Sequence, residues 1–318
     1  MPAPTIDPEI GAALAELGDI LPALDPEQLE ALRGQRLLGL AAVQLSDRVD
    51  RKDFDVPGPP GQPDVTVRVH TPVGLEGPAP CLYSIHGGGY VMGNRSMDDL
   101  RFDRWCPQLG FIGVSVEYRL APETPFPGPL DDCYAGLAWL HAHAEELGVD
   151  RSRIGIGGAS AGGGLAAALA LLARDRGELP VAFQLLGYPM IDDRQTTPSS
   201  SWHVPIWNPG SNEFGWRSYL GPLYGTDDVP CLAAPSRAAD LSGLPSALVY
   251  VGTLDGFCDE DVLYAMRLYQ AGVTTELHVY PGAPHGFDGI TPGTSLARRC
   301  QRDVQEWLNQ ALRGSSDR

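Results

Sequence analysis

The feature that most constrains the fold is the alternation of short apolar runs with segments of helical length from residue 64 onward. The first run, residues 64–70, alternates apolar and polar side chains strictly, as a half-buried strand does. Six later apolar runs have the length of strands: 81–85, 111–116, 153–156, 181–186, 247–251 and 276–280. The helical segments that separate them are 98–109, 130–147, 161–174, 259–271 and 296–312. This order predicts an α/β fold with a mostly parallel central sheet and helices on both faces.

Two regions depart from this alternation. Near the N-terminus, Asp7 and Asp25 each precede Pro-Glu, and we expect them to cap helices over residues 8–17 and 26–43. Residues 192–226 are rich in Pro, Ser and Asn and contain three tryptophans, which is unusual for a bare loop of that length. We expect both regions to form a helical cap. The predicted segments are an N-terminal cap segment (1–45), the first part of the α/β domain (46–191), a cap insertion (192–226) and the second part of the domain (227–318).

The charge balance excludes some classes of partner. The chain has 318 residues, with 23 Lys and Arg against 40 Asp and Glu, for a formal net charge of −17. Nucleic acids and anionic membranes are bound by basic surfaces, so we expect neither as a partner. Residues 1–17 lack the features of a secretory signal, and the longest apolar run, residues 165–173, is too short for a membrane span.

The six cysteines form neither a C-x-x-C pair nor a regular spacing. This pattern favours reduced, mostly buried thiols and a cytoplasmic location over disulfides in an oxidising compartment. It also disfavours a zinc site, and we expect no metal.

A Gly-x-Ser-x-Gly sequence at residues 158–162 is the first candidate for chemistry. An apolar run precedes Ser160 and an Ala- and Leu-rich helical segment follows it, as the strand–turn–helix of a nucleophile elbow requires. The flanking glycines allow a tight turn that exposes the serine hydroxyl at the end of the strand. The alternative is a glycine-rich turn in which the serine is incidental.

A second glycine-rich sequence, HGGGY at residues 86–90, follows the apolar run 81–85. Three glycines after a strand allow backbone N–H groups to point into a cavity, where they can stabilise the oxyanion of an acyl-transfer intermediate. We expect the N–H groups of Gly88, Gly89 and Ala161 to form this oxyanion hole. A phosphate-binding loop is the alternative, but the spacing fits neither of the common glycine-rich phosphate motifs.

A serine nucleophile needs a base, and the base needs a carboxylate to orient it. Of the seven histidines, His285 is the one that follows a predicted strand downstream of Ser160, at the end of the strand where α/β sheets bind ligands. Asp255 follows the run 247–251 and is the expected acid. Asp259 is the alternative, although its position favours a role at the start of the next helix. The order serine, aspartate, histidine is typical of α/β-hydrolases.

In combination, these motifs resemble the bacterial hormone-sensitive-lipase-like esterases, also called family IV, within the α/β-hydrolase superfamily. The matching residues are HGGGY (86–90), YRLAPE (118–123), Phe126-Pro127, Asp131-Asp132, GASAGG (158–163), Leu254-Asp255, Asp259-Glu260 and HGF (285–287). The resemblance implies an α/β-hydrolase fold with a cap, hydrolysis of carboxylic esters with short to medium acyl chains, and no cofactor. It also implies that Tyr118, Arg119 and Glu123 brace the oxyanion loop.

The sequence departs from that family at two positions. Ala159 precedes the nucleophile where the family usually has aspartate, which affects local hydrogen bonding and the response to pH rather than the mechanism. Gly256 follows the acid where the family usually has proline, which leaves the loop that carries Asp255 freer.

The leading hypothesis is therefore a serine carboxylesterase that acts on a small-molecule ester. An amidase or deacetylase would use the same three residues, so the sequence leaves that alternative open. A non-hydrolytic small-molecule receptor or a dehydratase is a third hypothesis, because one fold can host unrelated functions. The presence of the whole triad disfavours it.

Aromatic and apolar residues are the candidates for the substrate pocket. Tyr90 and Val91 directly follow the oxyanion loop, and Trp202, His203 and Trp207 lie in the predicted cap insertion. The alternative is that the cap aromatics form a small core of their own. The last predicted strand is a candidate edge of the sheet, at which a homodimer could form; the sequence does not decide this.

Overall fold

A computed structural model describes residues 3–18 and 24–313. Within these residues the sheet has eight strands: β1 (Val49–Val56), β2 (Val65–Pro72), β3 (Ala79–Ile85), β4 (Ile112–Glu117), β5 (Val149–Ala159), β6 (Phe183–Gly187), β7 (Ser246–Leu254) and β8 (Thr275–Pro284). Their spatial order is β1-β2-β4-β3-β5-β6-β7-β8. The β1–β2 and β2–β4 pairs are antiparallel and the remaining pairs are parallel. The predicted α/β class and mostly parallel sheet are confirmed.

Helices cover both faces of this sheet. The described helices are α1 (Pro8–Leu17), α2 (Leu29–Ala41), α3 (Asp99–Leu109), α4 (Gly128–Ala142), α5 (Ala161–Arg176), α6 (Pro209–Leu220), α7 (Cys258–Gln270), α8 (Phe287–Ile290) and α9 (Ser295–Arg313). One apolar cluster includes side chains of α4, α5 and α7, and a second includes side chains of α1, α3 and α9. Tyr83 and Leu82, neighbours on β3, belong to different clusters because successive side chains of a strand point to opposite faces.

The seven predicted strands correspond to β2 through β8, whereas β1 was not predicted. Its sequence, VDRKDFDV, carries five charged side chains, and most of the strand is exposed or half-buried. Charged residues are common on edge strands because they discourage pairing with another chain. The hydrophobic signal of such a strand is correspondingly weak.

The two predicted N-caps have different outcomes. Asp7 is confirmed, since its Oδ1 accepts hydrogen bonds from the N–H groups of Glu9 and Ile10, each at 3.0 Å. The prediction for Asp25 was wrong. Its side chain accepts from Glu27 N–H at 2.8 Å in a preceding turn, and α2 begins only at Leu29.

The N-terminal helices contact different parts of the molecule. Next to α1, Asp7 N–H donates to the carbonyl of Gly282 at 2.9 Å, and Ile10 is fully buried in the cluster that contains Tyr280 and Ala283. Before α2, Leu24 N–H donates to Ser211 Oγ of α6 at 3.2 Å. Of the predicted cap segment, residues 1–2 and 19–23 lie outside the described residues. The boundaries of the four predicted segments stay a prediction.

The region predicted as a cap insertion is not a bare loop. It contains a 3₁₀ turn, Ser199–Ser201, followed by α6. In the described ranges, no helix is both long enough and apolar enough to cross a membrane.

Candidate active site

The turn between β5 and α5 places Ser160 at the carboxyl end of the central strand. Ser160 has φ 58° and ψ −126°, a left-handed conformation that is costly for a residue with a side chain. The surrounding backbone holds it there. Its N–H donates to the carbonyl of Gly187 at 2.8 Å, and its own carbonyl accepts from Gly164 and Met190 at 3.0 and 2.9 Å. The turn predicted as a nucleophile elbow therefore has the required geometry.

Close approach of backbones explains the glycines beside this turn. A Cβ at Gly158 would lie 2.4 Å from the backbone of Gly162, and a Cβ at Gly162 would lie 2.0 Å from the carbonyl oxygen of Ile85. No side chain fits at either position, so the end of β3 and the start of α5 can lie directly against each other.

Three side chains form a continuous hydrogen-bonded chain at this edge of the sheet. His285 Nε2 lies 2.9 Å from Ser160 Oγ, and His285 Nδ1 lies 2.8 Å from Asp255 Oδ2. The second oxygen of Asp255 accepts from Phe257 N–H at 3.0 Å. Because a carboxylate can only accept, Nδ1 must carry the proton, and Nε2 is left to accept from the serine hydroxyl when the imidazole is neutral.

These three residues come from the ends of β5, β7 and β8, which are separated in the sequence but share one edge of the sheet. Ser160 and His285 are 7% and 6% exposed, and Asp255 is fully buried. Burial keeps competing water from the His285–Asp255 hydrogen bond.

Apolar rings surround the imidazole. Tyr188 and Phe257 present edge-to-face contacts to His285, with ring centroids 4.8 and 5.1 Å away, and the indole of Trp207 lies at 6.2 Å. The Tyr188 hydroxyl donates to Asp288 Oδ1 at 2.9 Å, and burial raises the pKa of both groups. These contacts restrict rotation of the imidazole away from Ser160.

The loop after β3 lies directly against the serine. A Cβ at Gly87 would be 2.7 Å from the carbonyl oxygen of Ala159 and 3.3 Å from Ser160 Cβ. Gly88 and Gly89 have φ of 123° and 62°, in the left-handed region that favours glycine. Among the described residues, no group accepts a hydrogen bond from the backbone N–H of Gly88, Gly89 or Ala161.

The alternative acid, Asp259, points away from the imidazole. Its Oδ2 accepts a hydrogen bond from the N–H of Ser199 at 2.8 Å. Of the two candidates, Asp255 is the carboxylate in contact with His285.

Comparison with known proteins identifies the family. Residues 82–289, well over half of the chain, match the family model described as the alpha/beta hydrolase fold. The chain belongs to the α/β-hydrolase family.

Named relatives narrow this to ester hydrolysis. Esterase LipI of Mycobacterium tuberculosis is 34% identical over 304 residues, which cover 92% of each chain. Carboxylesterase NlhH of the same species is 35% identical over 288 residues, or 89% of each chain. The solved structure of a bacterial heroin esterase superposes with a TM-score of 0.91 at 44% identity, covering 97% of this chain and 98% of that one. The protein is a carboxylic ester hydrolase of the hormone-sensitive-lipase-like group, as the motifs predicted.

Of the three residues that the family resemblance assigned to bracing, Tyr118 contacts the loop at residues 86–90 directly, and Glu123 reaches the next residue, Val91, through Arg33. Tyr118 stacks on His86 with ring centroids 4.1 Å apart, and its hydroxyl donates to the His86 carbonyl at 3.0 Å. Glu123 is paired with Arg33 of α2 at 2.8 Å, and Arg33 Nε donates to the carbonyl of Val91 at 2.7 Å. Arg119 is instead paired with Asp132, at 2.7 Å.

Two of the five predicted pocket residues of the esterase lie in its core. Tyr90 is 1% exposed; its hydroxyl donates to the Met190 carbonyl at 2.7 Å and its ring stacks on Tyr219 at 4.0 Å. Val91 is fully buried in the same apolar cluster. The prediction that these two side chains line the pocket was wrong, because neither is exposed enough to contact a substrate.

Three aromatic residues of the cap insertion are buried and differ in what they contact. Trp216 and Tyr219 of α6 are buried together with Tyr90, as a core would require. Trp207 is 5% exposed and belongs to the same apolar cluster, but its ring also lies over the loop at residues 86–90, because a Cβ at Gly89 would be 2.2 Å from it. Its Nε1–H donates to Asn212 Oδ1 at 3.1 Å, which fixes the plane of the indole.

A small cavity of about 10 Å³, room for one water, lies beside the acid loop of the esterase. It is lined by Ser200, Trp202, Trp207, Asn208, Pro209, Asn212, Gly256 and Phe257.

His203, predicted with these tryptophans, is exposed. Across the described ranges, no group of three or more His, Cys, Asp and Glu side chains could hold a metal ion.

Sequence reasoning missed Ser199 and Arg33. Ser199 is one of three consecutive serines and Arg33 is one of many arginines, so neither carried a local signal. Their partners lie 57 to 90 residues away in the chain, and only the tertiary structure brings them together.

Proposed function

We propose that the enzyme hydrolyses small carboxylic esters with short- to medium-length acyl chains through an acyl-enzyme on Ser160. The observation that carries this proposal is the hydrogen-bonded chain from Ser160 Oγ through His285 to Asp255, with distances of 2.9 and 2.8 Å. This arrangement supplies an activated nucleophile, a base and a group that orients the base.

In the proposed reaction, Ser160 Oγ attacks the ester carbonyl while His285 Nε2 takes the hydroxyl proton. The tetrahedral intermediate collapses when the C–O bond of the alcohol breaks, and His285 returns the proton to the leaving alkoxide. Water then attacks the acyl-enzyme in the same way, which releases the carboxylic acid and regenerates Ser160. Asp255 holds the imidazole and stabilises its positive charge throughout.

The N–H groups of Gly88, Gly89 and Ala161 are proposed to bind the oxyanion. Two features support this. The three donors have no acceptor among the described residues, and Ala161 is the first residue of α5, whose N-terminus favours negative charge. One such donor is typically worth about 3 kcal/mol in the transition state.

The proposed acyl or alcohol pocket lies under the cap, between the oxyanion loop and residues Trp202, His203 and Trp207. The proposed cap comprises the N-terminal segment, residues 1–45, together with the insertion at residues 192–226. The support for a short acyl chain is the indole of Trp207, which lies against Gly89 and leaves little room beside the loop.

Hydrolysis of p-nitrophenyl esters from acetyl to palmitoyl, by the wild type and Ser160→Ala in parallel, tests this proposal. We expect activity that peaks at short chains, and a loss of about 10⁴-fold or more in the variant. Substantial turnover by Ser160→Ala would eliminate Ser160 as the nucleophile.

Trp207→Ala tests the pocket. We expect the activity profile to extend to longer acyl chains, because removal of the indole opens space beside Gly89. Trp139→Ala is the matched control, since this tryptophan of α4 stacks on His143 and contacts Phe54 instead. If the two variants have the same acyl-chain-length profile, Trp207 belongs to the core and does not line the pocket.

We also propose a reducing, cytoplasmic location and a homodimer. All six cysteines are unpaired and five are buried, and burial raises the pKa of the Cys258 thiol to about 12. β8 is an edge strand of the sheet, and Leu263, Met266 and Tyr269 of the adjoining α7 are exposed. These features support the two proposals, and sedimentation analysis of the reduced protein addresses the second.

A further inference from the structure

The cap insertion is hydrogen-bonded to the loop that carries the catalytic acid. Ser199, fully buried in the 3₁₀ turn of the insertion, donates its hydroxyl to the carbonyl of Gly256 at 3.0 Å. The same hydroxyl accepts from Asp259 N–H at 3.1 Å, and Ser199 N–H donates to Asp259 Oδ2 at 2.8 Å. One serine thus makes three hydrogen bonds to residues 256–259.

These bonds lie next to the two residues that contact the imidazole, Asp255 and Phe257. Gly256 directly follows Asp255, and Phe257, the next residue, contacts His285 with its ring and donates its N–H to Asp255 Oδ1. Any rotation of the Gly256 peptide would move both Asp255 and Phe257. Fixing the Gly256 carbonyl therefore restrains the backbone next to the acid.

Gly256 is the position where the resembling esterases usually have proline. Glycine leaves the loop more backbone freedom than any other residue, whereas proline removes most of it. The insertion supplies an external constraint at this position, through a side chain 57 residues earlier in the chain.

We propose that Ser199 is a positioning residue for Asp255, and that the cap insertion through this serine provides the rigidity that proline provides elsewhere. The inference rests on the proposed function, because it assigns Asp255 to the orientation of His285. It adds that the cap, besides covering the site, holds the acid in place.

Ser199→Ala, compared with Ser201→Ala, tests the proposal. Ser201 belongs to the same turn, but its hydroxyl is exposed and donates to Pro198 of its own segment, so its loss leaves the acid loop untouched. For a short-chain ester we expect Ser199→Ala to lower kcat about tenfold with little change in KM, because a loosely held acid misorients the base. Ser201→Ala should retain wild-type kcat.

The low-field proton resonance of the His285–Asp255 hydrogen bond gives a second readout that does not depend on turnover. We expect it to broaden or shift in Ser199→Ala and to be unchanged in Ser201→Ala. This measurement separates the two proposals: inactivity of the wild type would refute the esterase mechanism, while the resonance would still report whether Ser199 fixes Asp255.

The double variant Ser199→Ala/Gly256→Pro tests whether a rigid residue at position 256 restores the kcat that is lost with the Ser199 hydroxyl. The φ of Gly256 is outside the left-handed region, and a Cβ there would meet the Ser199 carbonyl oxygen at an ordinary 3.8 Å, so the Cβ of a proline at this position would meet no clash. We expect the double variant to recover most of the lost kcat. The proposal is overturned if Ser199→Ala matches Ser201→Ala in kcat and in the resonance, or if kcat falls while the resonance stays unchanged.

Discussion

Residues 255–261 contain two pairs of carboxylates that are buried or nearly so and yet have opposite surroundings. Asp255, in the loop, bonds to His285 and to Phe257 N–H, and Asp259, at the start of α7, bonds to Ser199 N–H. In the first turn of α7, Asp261 is fully buried, and neither of its oxygens has a hydrogen-bond partner among the described residues. Glu260 beside it is also buried, with one oxygen unpartnered within that same set.

The difference shows that burial alone does not decide what a carboxylate does. Burial raises the pKa of Asp261 and of Glu260 well above the usual range. The charge of Glu260 raises the pKa of Asp261 further, and the charges of Asp192 and Asp255 raise that of Glu260. The N–H groups of Ile191 and Asp192 partly oppose the rise at Glu260. Asp255 and Asp259 instead each accept hydrogen bonds, and for Asp255 one of the partners is the imidazole that it is proposed to orient.

Replacing the two hydrogen-bonded carboxylates, Asp255 and Asp259, separately gives the largest effect. Asp255→Asn should lower kcat by about 10⁴-fold, because an amide at this position favours the wrong tautomer of His285. Asp259→Asn should cost less than about tenfold, since the amide oxygen still accepts from Ser199 N–H. The measurement is the ratio of the two kcat values on one short-chain ester. If the larger loss followed Asp259→Asn, the assignment of the acid would be reversed.

Removing the charge from the helix turn should affect stability instead. Asp261 has a higher pKa in the folded state than in the unfolded chain, so folding retains a proton that the unfolded chain releases above its ordinary pKa. Stability is therefore lost as the pH rises through the window above about 4 and up to the folded pKa. Asp261→Asn does not titrate and should unfold at a higher temperature than the wild type at pH 8, by about 3 °C or more, with a smaller gain at pH 5.

Thermal unfolding of both proteins at the two pH values checks this prediction. Asp227→Asn is the control, since this aspartate is exposed and its neutralisation should not change the pH dependence. Equal gains for Asp261→Asn at pH 5 and pH 8 would show that the buried carboxyl group is not the source of the effect.

The sequence predicted the parts of the fold and site that depend on local patterns. The strands from β2 to β8 have apolar runs, and the turn at Ser160 has glycines that only a tight turn requires. Even the pairing of Asp255 with His285 followed from their places after β7 and β8, because the carboxyl ends of parallel strands meet at one edge.

The rest depends on contacts between distant residues. Tyr90 and Val91 could have faced a pocket or the core, and tertiary packing, for Tyr90 against Trp216 and Tyr219 of α6, decided between them. Likewise Ser199 acts through Gly256 and Asp259, which no periodicity or motif connects to it. The first strand escaped detection because its charged side chains suit an edge and carry no apolar pattern.

The position of β8 has a consequence for biosynthesis. It is the last strand to be synthesised and the outermost on its side of the sheet, and His285 comes immediately after it. The carbonyl of Gly282 in β8 also accepts a hydrogen bond from the N–H of Asp7, the residue before α1. A nascent chain therefore carries its serine and its acid long before it can activate them. His285 meets Ser160 only after β8 has joined β7 at the edge of the sheet, so turnover itself reports that this last pairing has formed.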